Sequence, residues 1–112
     1  MNRVLIAGIR MTRLDVFHTW LNGQPYTVQR ARNLQMLRHL RTTDMLIVVD
    51  EFGEQSQEVV NELIQTGHHV LTTSEKSAKQ GQPHLAWPFT KEQFLDQVES
   101  LLHKQTTLND LR

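Results

Sequence analysis

The stretch DMLIVVDEFG, residues 44–53, constrains this chain more than any other. Five apolar residues, Met45 to Val49, run without a break, and the chain then turns into Asp50, Glu51, Phe52 and Gly53. An apolar run of that length, rich in β-branched residues and closed by a turn signal, reads as a strand buried on both faces. Such a strand needs a layer of helices above it and another below. It also ends on two adjacent carboxylates. Asp50 and Glu51 can act as a phosphate acceptor, a metal ligand or a catalytic base, or can simply mark where the strand meets water.

The rest of the chain supplies the layers. Apolar runs predict further strands at 3–8, 26–29, 68–73 and 84–87 beside the one at 43–50. Helical spacing appears at 11–21, with Leu14, Phe17 and Leu21 on one side, and at 55–65, with Val59, Val60, Leu63 and Ile64. Asn33 can cap a helix whose apolar side is Leu34, Leu37 and Leu40. Thr90-Lys91-Glu92-Gln93 is a capping box that opens a last helix with Phe94, Leu95, Val98, Leu101 and Leu102. The stretch from Ser74 to Pro83 is polar and has room for one helical turn at most. Residues 1–103 form one α/β domain on this reading, and 104–112 are a frayed, disordered tail. Strands alternating with helices imply a three-layer, doubly wound, mostly parallel five-stranded sheet. Ligands of such sheets sit beyond the carboxyl ends of the strands. Four places fall there: Gly8-Ile9-Arg10, Asp50-Glu51, Thr72-Thr73 and Trp87-Pro88.

Composition narrows the function. A chain of 112 residues fits one domain. It has no cysteine, which excludes a disulfide framework, a thiolate metal site and a cysteine nucleophile. The apolar run near the N-terminus is too short for a signal-peptide core, and no stretch approaches a membrane span, so the expected location is the cytoplasm. Charge is segregated. Residues 1–41 hold seven arginines and one acid, Asp15, a net +6, whereas residues 42–112 hold eleven acids and five bases, a net −6. This asymmetry bears on partners rather than on fold. Opposite charge at opposite edges of the sheet favours a protein partner or weak, salt-sensitive self-association. The group Arg30, Arg32, Arg38 and Arg41 could serve nucleic acid, but only Tyr26 offers an aromatic nearby, which disfavours that use. The six histidines show no metal-ligand spacing, so no metal or other cofactor is expected.

Four segments, taken together, resemble the receiver domain of bacterial response regulators over about residues 3–103. YTVQRARNLQMLRHLR is similar to the family's second strand and helix, and TDMLIVVD to its third strand, which ends on the phosphoacceptor aspartate. VLTT is similar to the fourth strand, and HLAWPFTKEQFLDQVESLL to the fifth strand, proline turn and last helix. The resemblance implies a flavodoxin-like fold with strand order 2-1-3-4-5, a cis peptide at Trp87-Pro88, Asp50 in the phosphoacceptor's place and Thr72 against the phosphoryl group. The departures matter as much. Receivers hold Mg²⁺ with an acidic pair after the first strand, where this chain has Gly8 and Ile9. Trp87 replaces the family lysine, and the fourth helix is shortened or missing.

These departures imply a degenerate receiver. Phosphoryl transfer to a carboxylate needs a cation to neutralise the converging oxygens. Asp50 and Glu51 alone make a poor Mg²⁺ site. Arg10 and Arg13, after Gly8, bring positive charge that could hold an anion or pair with Asp50. Neighbouring strands lie about 4.8 Å apart, a gap an arginine spans. The expectation is that Arg10 stands in for the metal and leaves Asp50 ionised, paired and unphosphorylated. A partly exposed pair of that kind contributes about 0.2–1 kcal/mol. The expected function is therefore that of a receiver-like regulatory domain acting by protein–protein contact, a non-enzyme rather than an enzyme. Two alternatives stay open. One is a small nucleotide-binding or nucleoside-processing protein using Asp50, Glu51 or Glu58, with some likeness to nucleoside deoxyribosyltransferase-type proteins. The other is an anion- or nucleic-acid-binding module built on the arginine-rich half.

Overall fold

All five expected strands form, and they lie in one parallel sheet in the order β2-β1-β3-β4-β5. A computed structural model describes residues 2–31, 33–41, 44–51, 53–76 and 82–110, with side chains through 102. The elements run β1 (Arg3–Gly8), α1 (Met11–Leu21), β2 (Thr27–Arg30), a 3₁₀ helix (Leu34–His39), β3 (Leu46–Asp50), α2 (Glu54–Gln65), β4 (His69–Ser74), β5 (His84–Ala86) and α3 (Lys91–Asp110). Among the described residues, no helix is long and apolar enough to cross a membrane.

β3 is buried along its whole length, as its uninterrupted apolar run requires. Its side chains alternate between two cores. Leu46 and Val48 join Val4, Ile6, Leu71 and the inward residues of α1 and α3. Ile47 and Val49 join Leu5, Ala7, Val70, the 3₁₀ helix and α2. The first core is aromatic at its centre. Phe17 stacks on Phe94 with centroids 4.8 Å apart and on Trp87 at 5.6 Å.

Several boundaries differ from the sequence reading. The helix expected after Asn33 is a 3₁₀ helix capped by the Asn33 side chain, which accepts from the Met36 amide at 3.1 Å. Its apolar residues Leu34, Leu37 and Leu40 recur every third position, which is the 3₁₀ repeat rather than the α repeat. β5 ends at Ala86, one residue before Trp87. β4 starts and ends one residue later than expected. Thr43, the expected start of β3, lies outside the described residues, as does Arg32. The capping box forms as read: the Thr90 amide donates to Gln93 Oε1 at 2.9 Å and the Gln93 amide to Thr90 Oγ1 at 3.1 Å. α3 continues to Asp110, through the segment expected to fray. No glycine or proline interrupts the chain between Lys91 and Asp110 to stop it.

The described residues hold no helix between β4 and β5, and 77–81 lie outside them. The sheet face there is polar. Thr72 and Ser74 share with Val70 the α2 side of β4. Thr72 Oγ1 lies 2.6 Å from His84 Nδ1, Ser74 Oγ 3.2 Å from His84 Nε2, and Gln82 Nε2 donates to Thr72 Oγ1 at 3.0 Å. These groups satisfy one another, so this part of the sheet needs no apolar cover.

Candidate functional site

The parallel register sets the carboxyl ends of β1, β3 and β4 side by side. Gly8 is level with Asp50, and Asp50 with Thr73. Gly8 is required by close approach: a Cβ there would lie 3.1 Å from Asp50 Cβ and 3.2 Å from its carbonyl oxygen. The chain then turns at Arg10, the residue before α1, and one helical turn later Arg13 follows on the same side.

Asp50 is fully buried, and both its oxygens are engaged. Arg10 Nε donates to Oδ2 at 3.1 Å. Thr73 Oγ1 donates to Oδ1 at 2.9 Å and the Trp87 indole Nε1 donates to the same oxygen at 3.3 Å. Arg13 Nη1 stands 3.6 Å from Oδ1 as an ion-pair partner. Arg10 Nη2 also donates to the Glu51 carbonyl at 3.2 Å. On their outer side the two arginines share one exposed carboxylate: Glu75 Oε1 is 2.7 Å from Arg13 Nη2 and 3.5 Å from Arg10 Nη1. The Arg13 guanidinium lies 4.6 Å from the Trp87 ring centroid, a cation–π contact. Two cations thus face two anions, and a carboxylate with no solvent exposure is held by charge and hydrogen bonds together.

Arg10 meets Asp50 as the sequence reading expects, and the pair is partly exposed through the Arg10 side chain alone, since the aspartate is wholly buried. Thr72 needs correcting. It turns away toward His84, and its neighbour Thr73 meets Asp50, because successive strand residues face opposite sides. Trp87 belongs to the site through its indole N–H, while Pro88 lies on a separate cleft with Leu85, Phe89 and Gln93. The Trp87–Pro88 peptide is cis, as the resemblance implies. Glu51 is buried and its amide donates to the Thr73 carbonyl at 2.7 Å. Sequence reasoning missed Thr73 as the contact and Glu75 altogether. Glu75 carries a signal in retrospect: it is the first residue past a strand that ends one residue beyond Thr73, the residue level with Asp50.

Other arginines of the basic half meet acids of their own. Arg30 pairs with Asp15 at 2.8 Å, and Arg38 with Glu62 at 3.1 Å and Glu58 at 3.9 Å. With Arg10 and Arg13, they place much of the segregated charge in contacts within the molecule.

The residues present do not fit the Mg²⁺ that the resemblance implies. Gly8 and Ile9 offer no carboxylate, and the Arg10 guanidinium lies against the Asp50 oxygen a metal would use. Among the described residues no group of three or more His, Cys, Asp or Glu could hold a metal.

No family model and no curated protein matches the sequence. Solved structures do. The response regulator StyR matches with a TM-score of 0.78 at 17% identity, over 98% of this chain and 63% of StyR, so this chain spans less than two thirds of that protein. The signal receiver domain of a Luxo repressor protein from Vibrio parahaemolyticus matches with a TM-score of 0.79 at 18% identity, over 98% and 95% of the two chains. A response regulator from Thermotoga maritima matches with a TM-score of 0.67 at 22% identity, over 92% and 98%. At these identities the likeness is one of architecture: the chain has the flavodoxin-like α/β fold of response-regulator receiver domains.

Proposed function

We propose that this is a receiver-like regulatory domain whose phosphorylation pocket is held closed by Arg10, and that it acts through protein–protein contact without Mg²⁺-dependent phosphorylation. One observation carries the reading: a fully buried Asp50 with a guanidinium on one oxygen and Thr73, Trp87 and Arg13 on the other. To accept a phosphoryl group, an aspartate must present a free oxygen in line with the leaving group, with a cation beside the converging charges. Here the cation is a side chain. Its planar N–H fork satisfies the carboxylate directly and cannot exchange ligands as a metal does. The domain therefore stays in one state, and its partner, a second protein or another copy of the chain in the cytoplasm, reads a fixed surface.

Incubation with acetyl phosphate or beryllium fluoride, with and without Mg²⁺, tests this. The expected results are no Asp50 adduct by mass spectrometry and no rise in melting temperature, since a ligand that binds only the folded state raises it. A Mg²⁺-dependent adduct on Asp50 would refute the reading.

A further inference from the structure

The two arginines beside Asp50 each have an inner and an outer edge. Inside, Arg10 Nε donates to Asp50 at 3.1 Å and Arg10 Nη2 to the Glu51 carbonyl at 3.2 Å. Arg13 Nη1 stands 3.6 Å from Asp50, and its guanidinium lies on the Trp87 ring. Outside, both guanidiniums meet one oxygen of Glu75, Arg13 Nη2 at 2.7 Å and Arg10 Nη1 at 3.5 Å. The Glu75 side chain is 69% exposed, and those of Arg10 and Arg13 keep 24% and 21%. The inner contacts cannot exchange without leaving a buried charge unpaired, whereas the outer one can. An exposed ion pair shifts an equilibrium by no more than about fivefold. The arginine pair is thus a preformed carboxylate site whose present occupant belongs to the chain itself.

The surroundings narrow what can replace Glu75. An open cavity of about 430 Å³ reaches this point, lined by Arg10, Glu75 and Lys76 with Glu51 and Glu54. That lining already carries three carboxylates, so a singly charged group that replaces Glu75 charge for charge suits it better than a doubly charged phosphate. Ile9 and Met11 flank Arg10 in the chain at the same end of the sheet, and they are 53% and 60% exposed. They offer an apolar contact beside the charged one.

We infer that the carboxyl end of the sheet is a docking surface for an acidic segment of a partner protein. One carboxylate of that segment takes the place of Glu75 on Arg10 and Arg13, and apolar side chains next to it cover Ile9 and Met11. Charge complementarity selects this partner. The inference rests on the regulatory reading above and names its contact: Asp50 holds the inner edges in place while the outer occupant exchanges, and Glu75 is the built-in competitor.

The probes are N-acetyl-leucyl-glutamyl-leucinamide and its glutaminyl counterpart, alike in shape and different by one charge. Each is titrated into the whole chain, followed by amide shifts of residues 9–13 and 74–76 and by the Trp87 indole and Arg13 Nε–H resonances. The glutamyl peptide should bind saturably and more tightly than the glutaminyl one, and less tightly as salt is raised. Glu75→Gln, which removes the competitor at an exposed position, should strengthen the glutamyl peptide by up to about fivefold and leave the glutaminyl peptide unchanged. Sodium acetate should bind more weakly than the peptide, because it leaves Ile9 and Met11 uncovered. Ile9→Ser combined with Met11→Ser should bring the peptide down toward acetate. The proposal is overturned by the absence of saturable glutamyl-peptide binding, by equal binding of the two peptides, or by no gain in Glu75→Gln. Acetate binding as tightly as the peptide would give the site to a free carboxylate and overturn the docking surface. Self-association of the native chain that disappears in Arg13→Gln would give it to a second copy and overturn the choice of another protein. No Mg²⁺ or phosphoryl donor is present, so failure here overturns the docking proposal alone, and an Asp50 adduct in the earlier test overturns the closed-pocket reading.

Discussion

Arg10→Ala removes a guanidinium from a carboxylate that has no solvent exposure. Asp50 Oδ2 loses its 3.1 Å bond, and the Glu51 carbonyl loses a donor at 3.2 Å. Oδ1 keeps Thr73 at 2.9 Å, Trp87 at 3.3 Å and Arg13 at 3.6 Å. Breaking a buried pair outright costs about 3–5 kcal/mol. The retained partners lower that figure, as does the 24% exposure of the Arg10 side chain, which lets water reach the vacated place. A hydrogen bond to a charged group contributes about 1.5–3 kcal/mol. The expected loss at pH 7 is about 2 kcal/mol by urea unfolding, with a fall in Tm of roughly 8 °C for a domain of this size. Mg²⁺ should not restore the loss, because Gly8 and Ile9 still supply no carboxylate. Adding Asp50→Asn to Arg10→Ala should cost less than the sum of the two single changes, since the double variant buries no unpaired charge. A loss below about 0.5 kcal/mol would place the pair among ordinary surface ion pairs and refute the argument from burial. Strict additivity of the two changes would refute the coupling.

Trp87→Phe keeps a ring against Phe17 and Phe89 but removes the indole donor to Asp50, so urea unfolding should show a loss of about 1 kcal/mol. Gly8→Ala puts a Cβ 3.1 Å from Asp50 Cβ, between two central strands that cannot part, and should cost about 1–3 kcal/mol by the same measurement. Burial, and next to it His68, lowers the pKa of His69 below its usual 6.5, so between the lowered and the usual value the unfolded chain binds the proton more readily than the folded one. This contribution to stability is complete above the unfolded value and is lost as pH falls below it toward the folded value. Urea midpoints followed downward through pH 6.5 should decline, and His69→Gln should flatten the slope.

Much of this molecule is local and could be read directly. A five-residue apolar run cannot be exposed, so Met45–Val49 demanded a strand with cover on both faces, and all four core side chains of β3 are buried. The Thr90–Gln93 box is a contact between residues three apart, decided before any tertiary packing. The placement of Gly8, Arg10, Asp50 and Trp87 at one end of the sheet followed from where strands end, and the Arg10–Asp50 pair from charge and reach.

What tertiary structure decided was register and depth. Whether Thr72 or Thr73 meets Asp50 turns on a single residue, because a strand alternates its faces and a sequence pattern locates strand ends only to within a residue or two. The depth of Asp50 depends on the helices packed around the sheet, not on its own neighbours in the chain, and that depth turns an ordinary ion pair into a costly one to break. Glu75 reaches Arg10 and Arg13 across more than sixty residues of sequence. The sequence on its own determined which groups carry charge. Only the packed chain determined which of them are kept from water, and with that how strongly each one acts.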